Sequence, residues 1–168
     1  MTSHPDEKHE LHGSLRTGIS FGVTSGVITT LGLMVGLHSG THSKLVLVGG
    51  ILTIAIADGM SDALGIHVSE EFENVHTMKQ IWISTFATFF TKFAMAMTFL
   101  IPLFIFDLPA AIVVSVLWGM GVLAMFSYKL AKSQDIRPWK VILEHLMIAL
   151  LVIMITHFVG EWVGKKFG

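Results

Sequence analysis

The amino-acid sequence predicts an all-α integral membrane protein with five transmembrane helices per subunit, and three observations lead there. Hydrophobic residues make up 52% of the 168 positions and charged residues 14%, with a mean hydropathy of +0.70, whereas a soluble domain carries about 25% charge. Five stretches reach the length of about 20 apolar residues that crosses the hydrocarbon core. None of them shows the strand-like alternation of a membrane β-barrel.

Residues 1–16, MTSHPDEKHELHGSLR, lack the charged, apolar and small-residue regions of a cleavable signal, so the apolar segments are expected to remain in the mature protein. The segment reads as a disordered cytoplasmic tail, although His4, Asp6, Glu7, His9, Glu10 and His12 give it metal-ligating side chains. The membrane domain, 17–168, holds spans at about 17–37, 45–69, 81–106, 109–131 and 139–163. Turn signals separate them: HSGTHSK after the first, Asp107-Leu-Pro109 after the third and SQDIRP after the fourth. Five spans leave no room for a separate soluble domain.

Orientation follows from Lys and Arg, which favour the cytoplasmic side. Lys8, Arg16, Lys79, Lys129, Lys132, Arg137 and Lys140 fall on the N-terminal side, against Lys44, Lys165 and Lys166 on the other. The N-terminus is therefore expected in the cytoplasm and the C-terminus opposite. The odd number of spans precludes a two-fold repeat within the chain, so any symmetry has to come from a second copy.

The first span, GISFGVTSGVITTLGLMVGL, sets Gly18, Gly22 and Gly26 four apart and repeats the spacing at Gly32 and Gly36. Such spacing lets helix backbones approach closely in lipid. It suits either a homodimer seam or packing against span two. Thr24 and Ser25 lie beside it.

The second span carries its own puzzle. IADGMSDALGIHVSEE places Asp58 and Asp62 inside an apolar run, where each charge costs roughly 2.5–3.5 kcal/mol at the bilayer centre. Four apart, the two share a helix face, and together they repel unless a proton or cation intervenes. The same face continues to Glu73, with Glu70 within a quarter turn, giving an acidic track toward the cytoplasmic mouth. Lys92, the one Lys or Arg away from the ends of a span, either fixes packing by pairing with one aspartate or competes with a metal or proton at both. Both readings set span three beside span two.

Weaker candidates are Met34 as a soft ligand, Met60 on the far side of the helix from Asp58, Glu144 with His145 near the start of span five, and His157 with Glu161 near its end. The segment Ser69-Glu-Glu-Phe-Glu-Asn-Val-His76, preceded by His67, gathers acidic and imidazole groups that either focus divalent cations or end a solvated helix.

Taken together, GISFGVTSGVITTLGLMVGL and ILTIAIADGMSDALGIHVSEE resemble the vacuolar iron transporter family, with its yeast calcium-sensitive and plant nodulin-like relatives. The likeness extends to Ile101-Pro-Leu-Phe-Ile-Phe106 and to HLMIALLVIMITHFVGEWVG in span five. It implies a homodimer of five-span subunits, N-terminus cytosolic, moving ferrous iron or manganese out of the cytosol in exchange for protons. Three departures stand out. Thr24-Ser25-Gly26 occupies the place of the family's Ser-Asp-Gly, Ser61-Asp62 that of a Ser-Met pair, and EEFENVHTMKQ that of a helical cytoplasmic metal-binding domain. The chain reads as a minimal member, with oxygen ligands that favour iron or manganese over softer ions.

The expected function is thus divalent metal transport by proton antiport. The metal site is expected at Asp58, Asp62 and Ser25, with Glu70 and Glu73 at the entrance and Lys92 and Glu144 as charge partners. Expected partners are the lipid bilayer, a divalent metal ion, protons and a second copy, with no nucleic acid, no permanently bound cofactor and no enzymatic role. The absence of cysteine excludes thiolate chemistry. The alternatives are a proton-coupled carrier of another substrate and a non-transporting, metal-sensing membrane partner protein. A prokaryotic plasma membrane suits the compact chain better than an organelle membrane.

Overall fold

The computed structural model describes the backbone of residues 5–168 and the side chains of residues 11–168. It is helical throughout: α1 (Pro5–Thr41), α2 (Lys44–Glu73), α3 (Met78–Thr98), α4 (Leu100–Ile105), α5 (Leu108–Ser133) and α6 (Pro138–Phe167). Five stretches, Leu11–Thr41, Lys44–Glu73, Met78–Ile105, Leu108–Ser133 and Pro138–Phe167, are long and apolar enough to cross a membrane. The chain is an integral membrane protein of the predicted class.

The boundaries follow from local chemistry. α1 starts at Pro5, where proline costs little because the first helical N–H has no partner, and Gly13 does not break it. The disordered tail expected over 1–16 is therefore helical from Pro5; His4 lies outside the described residues, as do the side chains of Asp6, Glu7, His9 and Glu10. α1 and α2 end in left-handed residues, His42 and Asn74, each with φ of 51°. His42 N–H caps α1 by donating to the His38 carbonyl at 3.1 Å. Pro109 and Pro138 open α5 and α6.

The third span departs from the single helix expected over 81–106. Pro102 has no N–H for the carbonyl four residues back, and its ring crowds that carbonyl. Accordingly α3 stops at Thr98, Phe99 N–H turns to the Ala96 carbonyl at 3.1 Å, and a short α4 follows.

Two compact units divide the chain, one of residues 1–26 and 54–95, the other of 27–53 and 96–168. In the first, α1 lies against α3, and a Cβ added at Gly22 would stand 2.8 Å from the Thr88 carbonyl oxygen. In the second, α1 lies against α6: a Cβ at Gly164 would meet the Gly40 carbonyl oxygen at 2.7 Å, and one at Gly160 would collide with that of Gly36. Here α5 also packs on α6 and on α4. These contacts correct the expected use of the glycine seam. Gly18, Gly22 and Gly26 serve α3 and Gly32, Gly36 and Gly40 serve α6, all within one chain, and neither set packs on span two.

Gly160→Ala should therefore destabilise the purified protein by the roughly 1–3 kcal/mol typical of overpacking, read as a lower thermal midpoint in detergent. Gly121→Ala, where an added Cβ meets nothing within 4 Å, should leave the midpoint in place. Equal midpoints for both variants would contradict the close α1–α6 approach.

Candidate functional site

The charged residues of the second span meet a partner inside the first unit. Asp58 and Asp62 lie one turn apart on α2, and Lys92 on α3 reaches both: its Nζ contacts Asp58 Oδ2 and Asp62 Oδ2. Lys92 also donates to Ser25 Oγ at 2.9 Å, and Ser25 Oγ donates in turn to Asp62 Oδ2 at 2.6 Å. The lysine side chain is 2% exposed, against 30% for Asp58 and 21% for Asp62. One ammonium thus touches two carboxylates and a hydroxyl, where the sequence suggested a pair with one aspartate if the role were packing alone.

The two aspartates are not equivalent. Asp62 accepts aligned hydrogen bonds from both Lys92 and Ser25. Asp58 Oδ2 touches the same ammonium, yet it is buried without a hydrogen bond, so its contact is charge against charge out of alignment. Hydrogen bonds weaken steeply with poor angle, whereas Coulomb attraction does not. Asp58 thus has one partner where Asp62 has two.

α1 allows this approach. An added Cβ at Gly26 would stand 3.3 Å from the Lys92 carbonyl oxygen, so α1 passes α3 beside the lysine and carries Ser25 to it. On α3, Ser84, Thr88 and Lys92 recur every four residues and all three are buried. This polar series in an apolar span is legible in the sequence, and it is the signal that would have found the partner of Glu70.

Glu70 is itself buried, with Ser84 Oγ 2.5 Å from its Oε2 and the same hydroxyl 2.9 Å from the Ile81 carbonyl. Glu73 stands outside, 3.5 Å from His76 Nε2. The structure therefore continues α2 to Glu73 as expected without bringing Glu70, Glu73 and His76 to one mouth. Among the described residues no group of three His, Asp or Glu side chains is placed to hold a metal ion.

The remaining candidates lie apart from the cluster. His67 Nδ1 is 3.0 Å from Thr85 Oγ1, with its ring edge-on to Trp82. Met34 is in the apolar core of the second unit, and Glu144 is exposed on α6. His145 bonds Ser127 at 2.7 Å. His157 lies between Ser39 Oγ, 2.6 Å from its Nδ1, and Glu161, 3.6 Å from its Nε2, while Glu161 also pairs with Lys165 at 2.9 Å. Met60 points to an exposed apolar groove, away from the acidic pair as its helical position requires.

No family model, curated protein or solved structure matches the chain.

Lys92→Met leaves two carboxylates facing each other without a cation, and removing one partner of a buried ion pair costs about 3–5 kcal/mol. Its thermal midpoint, followed by circular dichroism in detergent, should fall well below wild type. Adding Asp62→Asn should restore part of the loss, and Asp58→Asn alone should cost less than Asp62→Asn alone. A double variant no more stable than Lys92→Met would mean that the charges are not coupled.

Proposed function

We propose that the chain transports a divalent first-row cation, ferrous iron or manganese, out of the cytosol in exchange for protons. The observation that carries this reading is the ammonium of Lys92 in contact with two carboxylates within membrane-spanning helices. Two carboxylates and one ammonium leave one negative charge in excess, a costly state in hydrocarbon. A cation entering the pair neutralises that excess, but a divalent ion beside a retained ammonium overshoots. Lys92 must then swing away or give up its proton. Occupancy of the pair alternates between the lysine's charge and the cargo's, and metal is coupled to proton only where the displaced lysine releases its proton.

The ligand chemistry suits a hard or borderline cation. Asp58, Asp62 and Ser25 supply oxygen atoms, with backbone carbonyls and water to complete the shell. Support for the resemblance to vacuolar iron transporters comes from where the departures fall. Ser25 stands in place of an acid and Asp62 in place of a methionine, and the two are hydrogen-bonded at 2.6 Å. A carboxylate transferred across that contact keeps the charge of the site while changing the helix that bears it.

Asp58 and Asp62 are partly exposed, and in this reading a second copy covers them in a homodimer. A carboxylate facing lipid is expensive, so the open side of the pair requires a second copy or a water-filled crevice in front of it. The reading places the N-terminus in the cytosol, the C-terminus opposite, and the protein in a prokaryotic plasma membrane.

A second reading rests on the lack of a three-residue His, Asp or Glu group among the described residues. On it, the same scaffold carries another substrate, with Lys92 and the aspartates relaying protons.

Flux into proteoliposomes under a pH gradient, read with an internal metal-sensitive dye, separates the readings. Saturable uptake of ferrous iron or manganese is expected for wild type and should be lost in Asp58→Asn and Asp62→Asn. Lys92→Met should bind the metal at least about tenfold more tightly, the equivalent of 1.4 kcal/mol, yet lose its response to the gradient. Metal binding without flux would point to a sensor. Proton movement with neither would favour the second reading, and folded protein inert to every metal would sink the first.

A further inference from the structure

The outer face of α3 carries a feature that the charge cluster does not use, and the inference from it stands independently of metal transport. Trp82, Phe86 and Phe90 recur every four residues and stack into a ridge, with ring centroids 5.3 Å and 6.4 Å apart and neighbouring rings tilted by 27°. All three are exposed. A groove of about 340 Å³ runs along one side of the ridge, walled from α2 by Met60, Leu64 and His67. A second groove of about 440 Å³ runs along the other side, walled by Leu15 of α1 and by Lys79, Ile83 and Ala87 of α3.

The geometry points to a single anionic diacyl phospholipid straddling this ridge, one acyl chain in each groove and the phosphate beside Lys79. Three observations select this occupant. Both grooves share the same three aromatic walls, so they are parallel and spaced for two chains joined at one end. That end is marked: Lys79 lies in the first turn of α3 and Trp82 follows one turn later, and Lys and Trp are the residues that sit at headgroup level. From Trp82 to Phe90 the ridge then runs about 12 Å inward at roughly 1.5 Å per residue. Finally, helices that associate closely in lipid present small residues, whereas this face presents bulky rings. A flexible chain can lie in such grooves; a second helix would be held off by the ridge.

Native mass spectrometry of the full chain, released from detergent after incubation with equal amounts of phosphatidylglycerol and phosphatidylcholine, tests this. One phosphatidylglycerol per chain should be retained, preferred about fivefold, the effect of one Lys near an anionic headgroup. Lys79→Gln should abolish the preference. Leu64→Trp and Ile83→Trp, each filling one groove at an exposed or half-buried position, should each cut the retained lipid at least about fivefold with helicity unchanged by circular dichroism. Equal retention of the two lipids by wild type, or undiminished retention in both filling variants, would overturn the proposal. A change of oligomeric state in those variants would overturn it as well and assign the ridge to a second copy of the chain.

Discussion

An ammonium carried on an apolar helix has to find oxygen atoms, and the first unit is arranged so that Lys92 does. Its charge is expensive in hydrocarbon unless it is paired and hydrogen-bonded. The carboxylates come from α2 and the hydroxyl from α1, so three helices converge on one side chain. That convergence requires α1 to pass close to α3. Gly22 and Gly26 meet that need at the level of Thr88 and Lys92, where any larger residue would press on α3 backbone. Glycine spacing and intramembrane charge, which look like separate features of the sequence, answer one geometric demand.

The second unit keeps its ion pair, Glu161 with Lys165, at the exposed surface of α6. Its helices also touch through glycine, Gly36 and Gly40 against Gly160 and Gly164. Two of its imidazoles are matched to hydroxyls: His157 with Ser39, His145 with Ser127. A neutral imidazole offers one donor and one acceptor, and a hydroxyl can answer either, so such pairs cost far less in lipid than an ion. The first unit, by contrast, buries an ammonium, 2% exposed, against two carboxylates.

Much of this was legible in the chain. Span number followed from hydropathy and length, and the loops fell where HSGTHSK, Asp107-Leu-Pro109 and SQDIRP placed them, because Gly, Pro and Asp act locally. The nearness of spans two and three followed from Lys92, since a lone intramembrane cation needs an anion. What escaped was pairwise. Nothing in GISFGVTSGVITTLGLMVGL says that its first glycines face α3 and its later ones α6, because glycine spacing marks a close approach without naming the partner. Glu70 looked like part of an exposed mouth, since a helix end rich in acids is normally solvated; only the position of Ser84 on a neighbouring helix takes it inside. The break at Phe99 was within reach, as Pro102 disfavours an unbroken helix there.

The pairing of Ser25 with Asp62 shows how tightly the local chemistry is constrained. Ser25 accepts from Lys92 and donates to Asp62, a double role that a hydroxyl can fill. An ionised carboxylate only accepts. With an acid at position 25, two acceptors would face each other at the 2.6 Å now spanned by a hydrogen bond, and the excess of one negative charge would become two. A carboxylate at position 62 therefore calls for a donor at position 25, and a carboxylate at 25 would call for a neutral side chain at 62. Both acids together would need a cation or a proton between them.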